Sequence, residues 1–597
     1  MPTYTFDQFL ALRRYTANIA FSPDGTEVAY VTDTTGQFNI WRQSVRGGWP
    51  FQVTTFDKET VRHVEWAPSG HLYFLADKHG DEFYQVYRIP ARGGVAERLT
   101  TQPDVQYEGL ALGRDGRHVY YAGNAVVPTQ IHLFRHDTET GDVQTLCGGD
   151  GFWAPGDESH GGRYLLAMRM LSNVIGHIYL VDLTTGASRP VVAGDSLATP
   201  GPWAPDDSGF YYTDNAGGEF TSLRFFDLAA GTSRLVEDPA WDVTGLAGDE
   251  SGKLLAWLVN EDGYIRLHLR NLVTGALVPT PAKLGSGVIE TFAVSRDGSR
   301  AAFRITAPDV PRDLFTCEFR TGEVNRLTYS MLGGIDEQDL VVPELVRFPT
   351  FDRTIPGWLY KPRNLAPGQR VPVVLEVHGG PDAQEHPVYA GFRQYLLDQG
   401  IGLLVPNIRG STGYGQSYQK LIYRDWGGGD LQDLKACAEF LRTLPWVDPD
   451  RIAIFGGSYG GFAVLQAVTR LPDYWTCGVD FCGPSNLLTF TRSVPPTWRS
   501  MLKGWVGDPD EDEALLVERS PVTYVENVRC PLMVVQGAKD PRVVKAESDQ
   551  MVERLRGLGI DVEYLVFDDE GHGLTKRHNQ LAGARAMAQY LQRHLQG

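Results

Sequence analysis

The sequence predicts an all-β, seven-bladed propeller followed by a mixed α/β domain, with a short helix in front of both. Two observations support this prediction. A four-residue turn recurs about every 45 residues through the first half of the chain, and strands alternate with helices through the second half. We expect the helix within residues 1–15, the propeller within 16–335 and the α/β domain within 336–597. A chain of 597 residues is too long for one hydrophobic core, so several folding units are expected.

The composition argues against several kinds of partner. The net charge is −18 and no basic run occurs, so we expect neither nucleic acid nor a membrane as a partner. The chain start lacks the basic and apolar segments of a signal peptide, and no apolar run approaches the roughly 20 residues of a membrane span. We therefore expect a cytoplasmic protein, and we also expect a homo-oligomer. The six scattered cysteines are interpreted as buried, reduced thiols, with a disulfide or a metal site as the alternative.

The first half of the chain begins with a short amphipathic helix, predicted over residues 3–13. Each following repeat has a turn of the Ser-Pro-Asp-Gly type and then an apolar strand. The seven turns are Ser22–Gly25, Ala67–Gly70, Gly113–Gly116, Ser159–Gly162, Asp206–Gly209, Asp249–Gly252 and Ser295–Gly298, with glycines separated by 45, 46, 46, 47, 43 and 46 residues. This period is typical of propeller blades, so seven turns predict seven blades. A solenoid or a set of unrelated β-domains is the alternative.

The pattern changes after residue 328, where an α/β arrangement begins. Two antiparallel strands are predicted at 344–348 and 355–361. Further strands are predicted at 373–377, 402–406, 451–455, 479–482, 531–536 and 562–567, and helices at 392–398, 430–444, 462–469, 548–558 and 580–595. This alternation predicts a mostly parallel sheet with helices on both faces and a site at the carboxyl ends of the strands.

A glycine-rich corner around Ser458 predicts a nucleophile. The strand of Ile452–Phe455 meets Gly456-Gly457-Ser458-Tyr459-Gly460, and a helical pattern follows. This is the G-x-S-x-G arrangement of a nucleophile elbow, a turn so tight that only glycine fits at the positions flanking the serine in the motif. The motif alone is weak, since roughly 0.4 chance matches are expected in a glycine-rich chain of this length. The flanking strand and helix provide the context that the motif requires.

A serine nucleophile needs a base to take its proton and an acid to orient that base. In hydrolases with this elbow the order along the chain is serine, acid, histidine. Asp540 and His572 each follow a predicted strand, so the sequence predicts a Ser458–Asp540–His572 triad in an α/β-hydrolase domain. Asp540 could instead cap the next helix, and His572 could be an exposed loop residue. Asp568 and Asp569 are weaker candidates for the acid because they lie on the loop of the base.

The oxyanion of the reaction intermediate needs hydrogen-bond donors. We expect one donor to be the backbone N–H of Tyr459, directly after the nucleophile. The other is expected from Gly380 in the loop His378-Gly-Gly-Pro381, whose glycines let the backbone approach closely. Plain turn glycines are the alternative interpretation of this loop. His378 is interpreted as a support of the loop rather than as a catalytic group.

Together these motifs resemble the prolyl oligopeptidase family of serine peptidases. The resemblance rests on the propeller and on five segments: Gly456–Gly461, His378–Pro381, Asn407–Gly415, Asp540–Val543 and Gly571–Gly573. It implies hydrolysis of short peptides, a propeller that gates access to the active site, and an N-terminal helix that packs on the hydrolase domain. The Gly-Gly-Ser-Tyr-Gly-Gly and His-Gly-Gly-Pro forms look most like the acylaminoacyl-peptidase branch. The dipeptidyl-peptidase branch uses a Glu-Glu pair to bind a free amino terminus, and since no Glu-Glu dipeptide occurs here, that branch is disfavoured.

The sequence leaves open which end of a peptide substrate the enzyme recognises. A carboxypeptidase would bind a free carboxylate through arginines. The candidate arginines are Arg492, Arg499 and Arg542. An enzyme for acylated peptides would instead need an apolar pocket. The candidate pocket residues are Phe490, Trp498 and Trp505.

Two other classes of protein compete with a peptidase. A carboxylesterase could use the same triad, and a propeller could serve as a binding protein with an inactive hydrolase domain attached. The first has no need of a propeller, and the second would be expected to have lost a triad residue. No HExxH, P-loop or dinucleotide-binding motif occurs, so we expect neither a cofactor nor a metal.

Overall fold

The computed structural model describes residues 4–281, 284, 287–330 and 332–597. The chain divides into two units. One consists of residues 13–307 and 312–330, and the other of residues 1–12, 308–311 and 331–597. The first unit contains the repeats and the second contains the α/β region.

The repeat unit forms seven small antiparallel sheets, counted over the described residues, which confirms the predicted seven-bladed propeller. Six of the seven predicted turns lie between the first and second strands of their blades. In the described residues six sheets have four strands, and the sheet of the sixth blade has three. The strands, blade by blade, are β1 Tyr15–Phe21, β2 Glu27–Thr32, β3 Asn39–Ser44 and β4 Phe51–Gln52; β5 Glu59–Trp66, β6 His71–Lys78, β7 Gln85–Pro90 and β8 Glu97–Arg98; β9 Tyr107–Leu112, β10 His118–Val127, β11 Gln130–Asp137 and β12 Val143–Cys147; β13 Phe152–Glu158, β14 Tyr164–Ser172, β15 Ile175–Asp182 and β16 Ser188–Val192; β17 Thr199–Trp203, β18 Gly209–Asp214, β19 Ser222–Asp227 and β20 Thr232–Glu237; β21 Asp242–Gly248, β22 Leu254–Glu261 and β23 Tyr264–Asn271; and β24 Val288–Val294, β25 Arg300–Ala307, β26 Val310–Glu318 and β27 Glu323–Arg326.

The turn of the fifth blade lies two residues before its predicted position. The N–H of Asp207 donates to the carbonyl of Ala204 at 3.0 Å, and Asp207 has a φ of 55°. Asp207 therefore occupies the left-handed position that Gly25 occupies in the first blade, where φ is 68°. Aspartate tolerates this conformation better than most residues. The prediction of Asp206–Gly209 was wrong because it required a glycine at this position.

The first and last blades are joined by side-chain packing and hydrogen bonds. Ile19 and Val28 of the first blade belong to one buried cluster with Ala302 and Leu314 of the last. Gln43 Nε2 donates to the Leu327 carbonyl at 2.9 Å. Each of these two blades takes all its strands from its own end of the chain. The propeller unit is therefore closed by contacts between blades rather than by a shared sheet.

The N-terminal helix α1 covers only Phe6–Phe9, so the prediction of a helix over residues 3–13 was too long. Residues 1–3 lie outside the described residues. The helix ends before Arg14 because that residue joins the first blade, where its N–H donates to Asp33 at 2.8 Å. In the α/β unit, Phe6 packs edge-on against Tyr395, with ring centroids 5.1 Å apart.

The α/β unit is built on one sheet of eight strands, counted over the described residues, in the order β28-β29-β31-β30-β32-β33-β34-β35. Its strands are β28 Glu344–Pro349, β29 Thr354–Tyr360, β30 Val371–Val377, β31 Gly402–Pro406, β32 Val447–Gly457, β33 Gly478–Phe481, β34 Leu532–Gly537 and β35 Val562–Phe567. β28 and β29 pair antiparallel, and β30 to β35 pair parallel. The predicted α/β-hydrolase arrangement is confirmed, because a parallel sheet of this kind brings the carboxyl ends of its strands to one edge.

Helices connect these strands and cover the sheet. They are α2 Gly391–Asp398, α3 Gln416–Lys420, α4 Gly429–Thr443, α5 Tyr459–Arg470, α6 Leu487–Ser493, α7 Arg499–Trp505, α8 Glu513–Glu518, α9 Lys545–Gly557 and α10 Arg577–Gln596, with 3-10 helices at Glu337–Asp339, Pro472–Tyr474, Pro496–Trp498 and Pro521–Asn527. Helix α4 contacts α5, and α2 contacts α10. No helix in the described part of the chain is long and apolar enough to cross a membrane. All six cysteines are buried and free.

Candidate active site

Ser458 lies at a tight corner between strand β32 and helix α5. Its backbone has a φ of 58°, which a non-glycine residue seldom adopts, and its N–H donates to the Phe481 carbonyl at 2.8 Å. Glycine is required on both sides of the corner. A Cβ on Gly456 would lie 2.4 Å from the Gly460 carbonyl oxygen, and a Cβ on Gly460 would lie 2.1 Å from the Val377 carbonyl oxygen. The glycines of the elbow thus let two strand ends and a helix meet at the serine.

His572 lies between Ser458 and Asp540. Its Nδ1 is 2.7 Å from Asp540 Oδ2, and its Nε2 is 3.1 Å from Ser458 Oγ. A carboxylate can only accept, so Nδ1 carries a proton and donates it. In the neutral ring Nε2 is then free to accept the hydroxyl proton of Ser458. The structure therefore brings the three predicted residues together in the order that nucleophilic catalysis needs.

The charge state of His572 depends on two neighbours. Burial lowers the pKa of the imidazole, whereas Cys482 and Asp540 raise it, and the net direction is upward. Asp540 is held rigidly, because its Oδ1 accepts from the backbone N–H groups of Arg542 and Val543, each at 2.9 Å. A carboxylate fixed in this way orients the imidazole and favours its protonated form.

Tyr459 and the glycine loop predicted to supply the oxyanion donors lie next to the nucleophile. Tyr459 is the first residue of α5, a position whose N–H has no acceptor within the helix. Across from it, a Cβ on Gly379 would lie 3.0 Å from the Gly457 carbonyl oxygen and 3.4 Å from Ser458 Cβ. The loop that contains Gly380 therefore approaches the serine closely, as an oxyanion hole requires.

His378 is occupied by contacts within its own region. Its Nδ1 lies 2.7 Å from the Gly379 carbonyl oxygen and its Nε2 lies 2.9 Å from Ser411 Oγ. Burial lowers the pKa of this imidazole. A neutral ring with both nitrogens engaged suits a structural support of the glycine loop.

The predicted arginines lie in three different settings. The Arg542 guanidinium lies over the Trp498 ring, 5.5 Å from its centroid. Arg492 is exposed, donates to the Pro509 carbonyl at 3.4 Å and lies 3.9 Å from the Asp510 carboxylate. Arg499 is exposed at the start of α7. The contact with Trp498 brings one arginine and one aromatic candidate together.

Two predicted pocket residues pack around an aromatic residue that the sequence analysis did not select. Trp426 is buried and contacts Phe490, Trp505 and Tyr459, with ring centroids 6.3, 5.4 and 4.8 Å apart. Phe490 is itself buried in the core. Tyr459 extends this group, since its hydroxyl donates to Asp430 at 2.6 Å. Trp426 lies in a loop before α4, and no motif in the sequence distinguishes it from other core aromatics.

Two further residues near His572 were also missed. Cys482 follows β33 and contacts both His572 and Asp540. Glu570 is completely buried and accepts hydrogen bonds from Thr575 and Lys576, beyond the histidine. The Glu-Gly-His spacing could have drawn attention to Glu570, whereas nothing in the sequence connects Cys482 with residues 58 and 90 positions away.

Similarity to known proteins extends over nearly the whole chain. The model of the prolyl oligopeptidase family matches residues 388–597. Dipeptidyl aminopeptidase BIII of Pseudoxanthomonas mexicana is 31% identical over 599 aligned positions, covering 95% of this chain and 85% of that protein. The chain belongs to the prolyl oligopeptidase family.

Two further proteins resemble the chain at lower identity. The acylamino-acid-releasing enzyme of Sus scrofa is 24% identical, with 86% of this chain and 76% of that protein covered. A crystal structure of a puromycin hydrolase has the same fold, with a TM-score of 0.87, 20% identity and coverage of 99% and 96% of the two chains. The protein is thus a serine peptidase of the prolyl oligopeptidase family.

Proposed function

We propose that this peptidase is an exopeptidase that cleaves short peptides near their amino terminus, with Ser458, His572 and Asp540 as its catalytic triad. The observation that carries the triad is the pair of hydrogen bonds through His572, at 3.1 Å to Ser458 and 2.7 Å to Asp540. This arrangement joins a nucleophile, a base and an acid within hydrogen-bonding distance.

The proposed reaction follows from these positions. Ser458 Oγ attacks the peptide carbonyl while His572 Nε2 takes its proton, and Asp540 stabilises the resulting imidazolium. The oxyanion accepts hydrogen bonds from the N–H groups of Tyr459 and Gly380. His572 then gives its proton to the leaving amine, and a water molecule activated by the same imidazole hydrolyses the acyl-enzyme.

Substitution of the nucleophile tests the triad. We expect Ser458→Ala to abolish peptide hydrolysis and stoichiometric labelling by a fluorophosphonate, because both require the hydroxyl. Ser500→Ala is the matched control, since Ser500 is exposed on α7 in the same unit. Substantial turnover by pure Ser458→Ala protein would contradict the proposal.

The similarity to a dipeptidyl aminopeptidase over nearly the full chain supports release of dipeptides from a free amino terminus. The lack of a Glu-Glu dipeptide does not oppose this, because carboxylates far apart in sequence can meet in a fold. A free amino terminus bound in the site would still need carboxylates to accept hydrogen bonds from its ammonium group. The acylaminoacyl specificity suggested by the motifs is the second candidate, and the similarity to an acylamino-acid-releasing enzyme supports it.

One set of peptides separates these specificities. A tetrapeptide is prepared with a free or acetylated amino end, each as the acid and as the C-terminal amide, and the products are identified by mass spectrometry. Release of a dipeptide from the free form alone supports the dipeptidyl assignment. Release of an acetylated first residue would support the acylaminoacyl assignment instead.

The same peptides test the remaining alternatives. Loss of cleavage on amidation, with a cut at the C-terminal bond, would support the carboxypeptidase hypothesis. The engagement of Arg492 with Pro509 and Asp510 speaks against a free carboxylate-binding role for this arginine. Cleavage of ester substrates with all peptides left intact would support a carboxylesterase.

A further inference from the structure

A cysteine lies beside the proposed catalytic base. The Cys482 sulfur, an imidazole nitrogen of His572 and a carboxylate oxygen of Asp540 all lie within 4.8 Å of one another. Cys482 and Asp540 are buried, and His572 is half-buried. Within the described residues no other group of three such side chains is as close. The cluster combines three types of metal ligand, of which thiolate and imidazole are the types that zinc prefers.

The backbone holds the ligands of this cluster in place. The N–H of Cys482 donates to the Val535 carbonyl at 2.8 Å, and Cys482 has a φ of 48°, which is uncommon for a residue other than glycine. Asp540 is fixed by the N–H groups of Arg542 and Val543. Two of the three ligands therefore belong to backbone segments that are already ordered.

The spacing of the cluster suits a small tetrahedral ion. With Zn–S near 2.3 Å and Zn–N near 2.0 Å, a tetrahedral zinc ion holds sulfur and nitrogen about 3.6 Å apart. The ligand atoms of the cluster lie within 4.8 Å of one another, so the Cys482 sulfur would shift by about 1 Å toward the ion. His572 Nδ1 and Asp540 Oδ2, which lie 2.7 Å apart, would separate by about 0.6 Å to admit it. The half-buried position of His572 leaves a side from which water or an ion can enter.

We propose that Cys482 and His572, together with Asp540, form a binding site for a soft divalent cation such as Zn²⁺, and that occupation of this site inhibits the peptidase reversibly. Binding replaces the thiol proton of Cys482, which passes to solvent, so no oxidant or reductant is needed. A cation held by Asp540 binds the Nδ1 side of the imidazole, so the ring proton moves to Nε2, and His572 can then no longer take the proton of Ser458. The inhibition rests on the proposed function, whereas the binding of the cation does not.

Titration of activity with Zn²⁺ is the first test. Full-length wild-type protein freed of metal by a chelator is compared with Cys482→Val and with Cys437→Ala, which alters a buried cysteine of α4. We expect inhibition of the wild type and of Cys437→Ala at the same Zn²⁺ concentration, with recovery after a chelator is added. In Cys482→Val the inhibitory concentration should rise at least tenfold. Equal inhibition of the wild type and Cys482→Val would overturn the proposal.

A second test does not depend on activity. Cd²⁺ binding to Ser458→Ala is followed by calorimetry and by the ultraviolet charge-transfer band of a Cd²⁺–thiolate bond. We expect one tight site with this band, and loss of both when Cys482→Val is added. Cys482→Ser serves in the same way if the valine variant does not fold. Absence of the thiolate band would refute the site. Activity retained by Ser458→Ala would instead refute the proposed function, while the Cd²⁺ result would still decide the site.

Discussion

Glu570 holds the loop that contains His572, and its substitution should reduce catalysis. One carboxylate oxygen accepts from the Lys576 N–H and from Asn579 Nδ2, each at 2.9 Å. The other accepts from the N–H and the hydroxyl of Thr575, at 2.9 and 2.7 Å. Since these donors follow His572 in the chain and Glu570 precedes it, the carboxylate closes the loop around the histidine. Glu570→Gln is the substitution we consider.

The structure gives the size of the effect. Glutamine has one carbonyl oxygen, so it keeps the hydrogen bonds of one carboxylate oxygen and loses those of the other. Two hydrogen bonds to a charged group are worth roughly 1.5–3 kcal/mol each. If the loop opens, water can take the place of the lost acceptor and recover part of this free energy. We therefore expect the free energy of unfolding to fall by about 2–4 kcal/mol. A displacement of His572 by about 1 Å would lower kcat/KM by about 100-fold.

The assay measures kcat and KM separately, together with thermal denaturation. We expect kcat to fall by about 10- to 100-fold in Glu570→Gln with little change in KM, because the loop positions the base rather than the substrate. Asp568→Asn is the matched control. Asp568 is exposed on the same loop, and its substitution removes the same negative charge. Full kcat in a Glu570→Gln protein that melts at a lower temperature would show that Glu570 supports only the fold.

Further predictions concern the core, the elbow, the surface and the choice of substrate. Burial raises the pKa of Asp430 to about 6, against about 3.9 in the unfolded chain. The native state therefore binds this proton more tightly, and the free energy of unfolding should fall by about 2 kcal/mol as the pH rises from about 4 to about 6. Urea unfolding of Asp430→Asn should show a flatter pH dependence, and an unchanged slope would contradict this assignment. Gly460→Ala should lose fluorophosphonate labelling and melt at a lower temperature, because its Cβ would lie 2.1 Å from a backbone oxygen, whereas Gly504→Ala, with nothing within 4 Å, should resemble the wild type. Arg492→Ala should change kcat/KM on free-acid peptides by less than about twofold, and a selective tenfold loss would favour the carboxypeptidase hypothesis. Size selection by the propeller stays a prediction, and equal rates of cleavage for a folded protein and for a short peptide of the same sequence would refute it.

The sequence by itself determined the number of blades and the order in which the proposed catalytic residues follow the strands of the sheet. Turn residues such as Ser22 and Gly25 act locally, so their recurrence could be counted without a structure. The elbow could be recognised for the same reason, because the glycines beside Ser458 satisfy a local steric requirement. Asp540 and His572 could be selected because each follows directly on an apolar strand, and parallel strands bring their carboxyl ends to one edge.

Tertiary structure alone decided which other groups meet at that edge. Cys482 and Trp426 stand in loops with no local pattern that separates them from ordinary core residues, and Glu570 is distinguished only by its spacing from His572. Their roles depend on contacts with His572, Tyr459 and Thr575 that form only when the sheet and its helices are assembled. A turn or a strand is specified by neighbours in the sequence, whereas the surroundings of a side chain depend on residues brought close by folding.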